Sequence, residues 1–510
     1  MAKSVIVIGA GIAGLSAGCY LQMNGYDTEI YEAHSQPGGL CTAWKRQGYT
    51  FDLCIHWLGG SGPAGAFHGM WQELVDMRTV EFVDHDLRFD IELEHNQDRH
   101  GDPVFHVYAD LSRLEQYMKD IAPEDAQIID EFIGSIRELQ KYPIPPLWDV
   151  APEVRTLRDN LRMIKLLPFL LYVRKWAKVT NFAFAERFKN PFLQEGFRLL
   201  FEGKEISIIG ITFQLAQFDQ RCAGYPIGGS LPFAQRLADR YLSLDGRIRY
   251  AAPVEKILVE NDTATGIQLE SGETHQADIV ISAADGHFTI FEALEGKYVD
   301  QDIIDLYDLK QLERFEAPIL ISLGVDRTFA DMPHLIRFPL NEPLLIADGT
   351  KLERMIAHFC NYDPTLAPEG KTAVSVLLET RSDEYWTSLR DQDAPAYEVE
   401  KTKLAQEVID RLEKRFGNIR NEVEVIDVAT PATIIRYTNN WHGSAQGWYP
   451  PEDILSAAPL RKELPGLSNF YMIGQWVEPG GGVPPAALSG RNVAQIICKG
   501  DKKPFVNTTP

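Results

Sequence analysis

The residues best placed to do chemistry stand at the start of the chain. Gly9-Ala10-Gly11-Ile12-Ala13-Gly14 follows directly on Ser4 to Ile8 (SVIVI), a short β-branched run of the kind buried in a parallel sheet. A helical pattern then runs to about Asn24, and Asp27 to Glu32 (DTEIYE) reads as the next strand, ending on an acid 18 residues after Gly14. Strand, glycine turn, helix, strand and acid together form the fingerprint of a dinucleotide site. Gly9 allows the tight turn, Gly11 lets the backbone approach a pyrophosphate, and Gly14 lets the helix pack closely on the strand. The helix N-terminus offers unpaired N–H groups and a positive dipole end to the phosphates. Glu32 is expected to hydrogen-bond the hydroxyls of the adenosine ribose. Gly60-Ser61-Gly62-Pro63-Ala64-Gly65 fits the same glycine pattern but lacks a clean preceding strand and carries Pro63, so it reads as a loop.

A second glycine pair narrows the dinucleotide. Pro37-Gly38-Gly39-Leu40 follows the ribose acid, then Gly48-Tyr49-Thr50-Phe51-Asp52. Paired glycines there let a second loop lie against the pyrophosphate, a feature that plain NAD dehydrogenases lack. Two later segments extend the pattern. Tyr225 to Ser230 opens a helix near 231–243, followed by strand-like runs at Arg247–Tyr250, Val254–Ile257, Thr265–Ile267 and Asp278–Ala284. Near the end come Asn469 to Gln475, the loop Glu478-Pro479-Gly480-Gly481-Gly482-Val483-Pro484, and a helix from about Ala486 to Ile497. A strand, a glycine loop and a helix N-terminus recur there, which suits a pyrophosphate or the anionic edge of a reduced flavin.

On these segments the chain resembles the amine oxidase and phytoene desaturase superfamily, and within it the carotenoid desaturase, carotenoid isomerase and retinol saturase family. Leu40 departs from the Arg common at that position. The resemblance implies an α/β fold with a discontinuous Rossmann-like FAD-binding domain and an α+β substrate domain. The FAD-binding domain is expected over 1–83, 221–300 and 465–500, the substrate domain over 84–220 and 301–464. It implies FAD as cofactor, held by Gly9, Gly11, Ile12, Ala13, Gly14, Glu32 and Ala33, then Gly38, Gly39, Leu40, His56 and Trp57. Val254, whose counterpart contacts adenine through its backbone, and Ala284, Gly474, Gln475, Gly482, Val483 and Pro484 complete that set.

Three groups are candidate proton donors or acceptors. His56 lies in Phe51 to Gly59, similar to the segment that follows the paired glycines in retinol saturases. Glu478 precedes the last glycine loop, where many bacterial desaturases carry His. His442 sits in Trp441 to Gly447, similar to a family loop near the substrate cavity. Each has a plainer reading, His56 as a hydrogen bond to a nearby carbonyl and Glu478 as a solvated acid at a helix terminus. The other histidines show no ligand spacing, and no metal site is expected.

The intervening elements must position these residues. Residues 84–108 alternate like strands and 112–142 read as helical. Short β-rich runs recur over 317–380, a long amphipathic helix follows at 396–416, then a strand at Val423–Val428 and a loop at Tyr437–Tyr449. The net charge is −22, which argues against nucleic acid as a partner. Residues 155–204 break that trend, with eleven Lys and Arg against four acids, a balance of +7, interleaved with leucines and aromatics. Such a stretch suits a helical segment in a membrane interface, the alternative being an ordinary core helix pair with a solvated basic face. No apolar run is long enough to span a bilayer, and Met-Ala-Lys leads straight into a strand, so a cytoplasmic protein is expected, peripheral on the inner face of a membrane.

The resulting expectation is an FAD-dependent oxidoreductase acting on a long apolar polyene, a carotenoid or retinoid, by hydride transfer at flavin N5. It would work as a desaturase, saturase or isomerase, with external NAD(P)H or a quinone as redox partner. The rivals are a flavin amine oxidase and a membrane-associated flavoprotein without turnover. The oligomeric state is left open.

Overall fold

Ser4–Ile8 (β1) is apolar and β-branched, and all of it except its first residue is buried, because it lies at the centre of a five-stranded parallel sheet. The computed structural model describes residues 2–142, 150–451 and 460–510. Within the spans expected for the substrate domain, 143–149 and 452–459 therefore lie outside the described residues. The partners of β1 come from distant parts of the chain: Asp27–Tyr31 (β2), Arg247–Arg249 (β3), Ile279–Ser282 (β4) and Phe470–Met472 (β5), in the order β5-β4-β1-β2-β3. Val5 pairs with Ile279 and Ser4 with Asp27, so β1 is flanked on both sides.

Ile12–Met23 (α1) packs on this sheet between Ser230–Ser243 (α2) and Val483–Gly500 (α3). Residues 12–21 of α1 are buried on every side, which explains its run of small and apolar residues. The helices meet at glycines. A Cβ on Gly490 of α3 would lie 2.5 Å from the Ala13 carbonyl oxygen, and one on Gly18 would lie 2.7 Å from the Tyr241 ring. A three-stranded antiparallel ribbon, Val254–Glu260, Thr263–Leu269 and Thr274–Gln276, shares a second core with β1 and β4.

The second layer is a seven-stranded sheet. In spatial order it runs Val423–Ala429, Ala317–Val325, Thr372–Thr380, Lys351–Phe359, Leu335–Leu345, Leu87–Glu92 and Val104–Tyr108. Its pairs are antiparallel except Leu335–Leu345 with Leu87–Glu92. Helix Ala394–Phe416 covers its core at one end, while helices over 111–139 and 167–219 cover the other. The helix expected across 112–142 is two, Leu111–Ile121 and Ala126–Leu139, parted by Pro123.

Residues 155–204 form several short helices rather than one long element or a simple pair, among them Leu157–Met163, Leu167–Trp176 and Pro191–Arg198. Phe169, Tyr172, Val173 and Trp176 face the core. Leu157, Leu161, Ile164, Leu167 and Leu171 stand outside, 53–84% exposed. Among the described residues no helix is long and apolar enough to cross a membrane.

Candidate active site

The glycine loops gather at the carboxyl ends of β1, β2, β4 and β5, the edge where open α/β sheets take their ligands. Gly9 leaves β1 at φ +98, a conformation open to glycine, and its N–H donates to the Tyr31 carbonyl at 2.7 Å. A Cβ on Gly14 would sit 2.0 Å from the Gly9 carbonyl oxygen, so only glycine lets α1 start this close to β1. The Gly38 N–H donates to the Ala10 carbonyl at 2.9 Å, which lays the second glycine loop beside the first. Neither helix facing this edge brings its own anion. α1 starts at Gly11 and α3 at Gly482 without a side-chain cap, and neither has an acid in its first turn. Two bare helix N-termini and glycine loops that expose backbone N–H groups fit a pyrophosphate.

Glu32 lies one residue beyond β2 and is buried. Its two oxygens accept from the Ala10 N–H at 2.6 Å and the His34 N–H at 2.8 Å, while burial raises its pKa. This fixes the carboxylate at the end of the strand. Beside it a hollow of ≈ 360 Å³ is walled by Arg249 to Pro253, next to Val254, and Ala33 stands exposed. A larger cavity of ≈ 1010 Å³ runs from Glu32, His34 and Gly39 to Tyr397, Ala429, Ile434 and Tyr437. Glu32 and Gly39 thus reach it, whereas Gly9 to Gly14 and Gly474 to Pro484 do not line it.

The last glycine loop is held from both sides. The Gly474 N–H donates to Ser489 Oγ at 2.9 Å, and the Ala13 Cβ lies 3.6 Å from where a Gly474 side chain would start. On the other side Asn440 Oδ1 accepts from Gln475 Nε2 and Trp476 Nε1, both at 3.0 Å. A Cβ on Gly447 would lie 2.5 Å from the Gln475 carbonyl oxygen, so the loop after Asn440 rests directly on this segment. Asp285, just past Ala284, accepts the Trp441 N–H at 2.7 Å and ties the same loop to β4. Helix α3 starts at Val483, three residues earlier than expected, because Pro484 and Pro485 fit a first helical turn, where no N–H partner is lost. Thr438 and Tyr437 end a helix, Pro431–Thr438, and are not part of the expected loop.

The three candidate acid–base groups occupy separate environments. Lys462 Nζ lies 3.2 Å from Glu478 and 3.0 Å from Glu153; burial still raises the Glu478 pKa. His442 Nδ1 lies 2.6 Å from Asp383, which also pairs with Arg314 at 2.8 Å. Among the described residues no carboxylate pairs with His56. It stacks on His358 with ring centroids 4.1 Å apart, and burial, helped by Arg88, lowers its pKa to about 4. His56 lies deep in the molecule, and both it and Trp57 keep some accessible surface. Leu58 and Gly59 follow, and a Cβ on Gly59 would lie 3.6 Å from Pro484 at the start of α3.

The family model for flavin-containing amine oxidoreductases matches residues 12–498. The chain belongs to this family. It is therefore a flavin-dependent oxidoreductase. Among similar proteins, a lycopene-forming phytoene desaturase of Paracoccus sp. is 25% identical, over 97% of each chain. A zeta-carotene-forming phytoene desaturase of Myxococcus xanthus is 24% identical, over 97% of this chain and 94% of the relative. Among solved structures, an oxidoreductase from Methanosarcina mazei superposes with a TM-score of 0.60 at 18% identity, covering 96% of this chain and 99% of the other. A putrescine oxidase variant gives 0.58 at 12% identity, covering 98% and 99%. These likenesses fix the α/β fold with its Rossmann-like flavin domain.

In this flavin oxidoreductase, several residues that position the site escaped the sequence reading. The sequence pattern gives Asp52, at the end of Gly48 to Asp52, no role of its own. Its carboxylate accepts the Ser230 N–H at 2.6 Å, the Ser230 hydroxyl at 2.5 Å and the Cys54 N–H at 2.9 Å, which clamps the turn before His56 to the start of α2. The paired glycines at 228 and 229 are a sequence signal for it, since a Cβ on Gly229 would lie 2.2 Å from Asp52 Oδ2. His358, His85, His334 and Arg88 gave no signal, since strands far apart in sequence bring them together.

The neutral histidines make acid sensitivity measurable. His56 is held near 4 in the folded protein against an ordinary value of 6.5, so between those pH values the unfolded chain binds a proton that the folded chain refuses. Stability from this group is thus present above about pH 6.5 and lost as pH falls towards 4. Asp52 and Asp285, both raised to about 6, act in the opposite direction, so the comparison must be between variants. Denaturant unfolding of the wild type should lose about 2 kcal/mol more than His56→Gln between pH 6.5 and 4.5. Equal losses would show that His56 is free to protonate in the folded state.

Proposed function

We propose that the flavin is FAD and that the chain oxidises a long apolar polyene drawn from a membrane. The observation that carries this reading is a two-loop pyrophosphate cradle with a ribose acid, Glu32, in a chain that matches phytoene desaturases along nearly its whole length. Bound FAD would accept a hydride from an allylic carbon of the polyene. The proton from the neighbouring carbon must pass to a protein group or water. His56 suits that task best of the three candidates: it is uncharged, has no carboxylate partner among the described residues and keeps some accessible surface. Glu478 and His442 are engaged with Lys462 and Asp383. The electrons would leave to an external acceptor, a quinone in the same membrane, or in the reverse direction arrive from NAD(P)H.

Amine oxidation fits the interior less well. Arg88 acts on His56 and is itself next to a second cation, Arg337 on the adjacent strand, so a protonated amine beside His56 would face positive charge. The outer surface supports a lipid source. Leu157, Leu161, Ile164, Leu167 and Leu171 project from helices that also carry Arg158, Lys165, Arg174 and Lys175. Exposed leucines among basic residues suit a monotopic contact with anionic lipid.

Anaerobic mixing of the oxidised holoenzyme with phytoene in vesicles should bleach the flavin and yield a product with added double bonds. Reduced holoenzyme with a more conjugated polyene tests the reverse. No bleaching and no altered polyene in either direction would refute the reading. In flotation with anionic vesicles, the double variant Leu167→Glu, Leu171→Glu should lose at least about tenfold in bound fraction, two apolar side chains being worth a few kcal/mol of burial. Unchanged flotation would mean that this face does not meet lipid.

A further inference from the structure

Arg88 is a buried cation without a counter-charge. It lies on Leu87–Glu92 with its guanidinium carbon 4.9 Å from the Phe218 ring, 5.2 Å from Phe89 and 5.8 Å from Trp57. Its Nε has no hydrogen-bond partner, and among the described residues no carboxylate pairs with it. The charge acting on it is another cation, Arg337, whose guanidinium carbon sits 4.2 Å from the same Phe89 ring. Arg337 is better served, donating to the Leu200 carbonyl at 2.7 Å and lying 3.5 Å from Glu202, yet its Nε too is unpaired.

Four histidines adjoin this pair. His56 stacks on His358, and His85 stacks on His334 with centroids 3.6 Å apart. Burial and the nearby Arg88 hold all four below the ordinary histidine pKa. The acids that act nearby serve other members: Asp86 on His85, Glu202 and Glu379 on Arg337. Gln217 Oε1 and His85 Nε2 are also buried without partners. The rings stack face to face instead of converging, and among the described residues no group of three or more ligating side chains could hold a metal ion.

An uncompensated buried cation is strongly destabilising unless something supplies the missing charge. Here the fork of Arg88 is surrounded by aromatic rings and bordered by neutral imidazoles that can donate hydrogen bonds. That surrounding suits an anion attached to an apolar chain, and the planar guanidinium suits a carboxylate. We infer that Arg88 and the adjoining histidines bind a terminal carboxylate of the substrate, so that a polyene ending in an acid is taken in preference to a pure hydrocarbon. This inference rests on the polyene reading above and narrows it.

The test uses the wild-type FAD-loaded protein, with binding followed by quenching of tryptophan fluorescence. The probes are all-trans-retinoic acid, its methyl ester, and palmitic acid with its methyl ester, in neutral detergent. Retinoic acid should bind about 10- to 100-fold more tightly than its ester, as expected for a charge-assisted pair. Arg88→Met should bring that ratio close to one while the ester affinity stays within about threefold, a comparison that also reports whether the variant is folded. Replacing Arg174, Lys175 and Lys178 by Ala should leave the ratio unchanged. Equal binding of acid and ester by the wild type would overturn the inference, as would a ratio that survives Arg88→Met or vanishes only in the surface variant. If palmitic acid shows the acid preference and neither retinoid binds, carboxylate capture stands and the polyene reading falls. If retinoic acid and its ester bind equally, the reverse holds.

Discussion

A helix that begins at a glycine, deep in the protein and without a side-chain cap, has N–H groups that must find an acceptor. Helix α1 begins in this way at Gly11, and nearly everything around it follows from that constraint. Gly14 brings the helix against Gly9, and Gly490 brings α3 against α1, so that a second uncapped helix faces the same edge of the sheet. Glu32, Asp285 and Ser489 then use side-chain oxygens to fix the surrounding loops, leaving the first turns of both helices for a ligand. The surface suited to phosphates is thus made from backbone, and the discontinuous chain is the means of assembling it.

The interior beyond His56 is organised on the opposite principle. Around the nucleotide, donors are numerous and a ligand anion is expected from the helix ends alone. Around Arg88, two cations and four uncharged histidines are enclosed by aromatic rings, with their nearby acids displaced to Arg337 and His85. On the outside, leucines project where basic side chains are dense. On the proposed reading, the exposed leucines and the buried cation would meet the apolar and anionic parts of one amphiphile.

Much of the cofactor side was legible in the sequence because it depends on local rules. Glycine spacing, the β-branched run at Ser4–Ile8 and the acid closing β2 each have one short-range meaning, and their elements form within a residue or two of where the pattern places them. Departures occur where proline adjusts a helix: Pro484 and Pro485 start α3 early, Pro431 starts a helix that runs into the loop expected from Tyr437, and Pro123 divides another. The histidine cluster around His56 was not legible. The stacked partners are far apart in sequence, His56 from His358 by 302 residues and His85 from His334 by 249, and the pairing of Leu335–Leu345 with Leu87–Glu92 and Lys351–Phe359 brings them to one place. Orientation was equally hidden. Nothing in the spacing around Glu478 or His442 reveals that their side chains meet Lys462 and Asp383.

The claim that the bare helix ends and Glu32 make an FAD cradle has a direct chemical test. Heat-denaturing the purified protein and separating the released flavin by chromatography, with its amount measured against protein, should give FAD at one per chain. A protein that holds only FMN, or that stays colourless when incubated with excess FAD, would contradict the account.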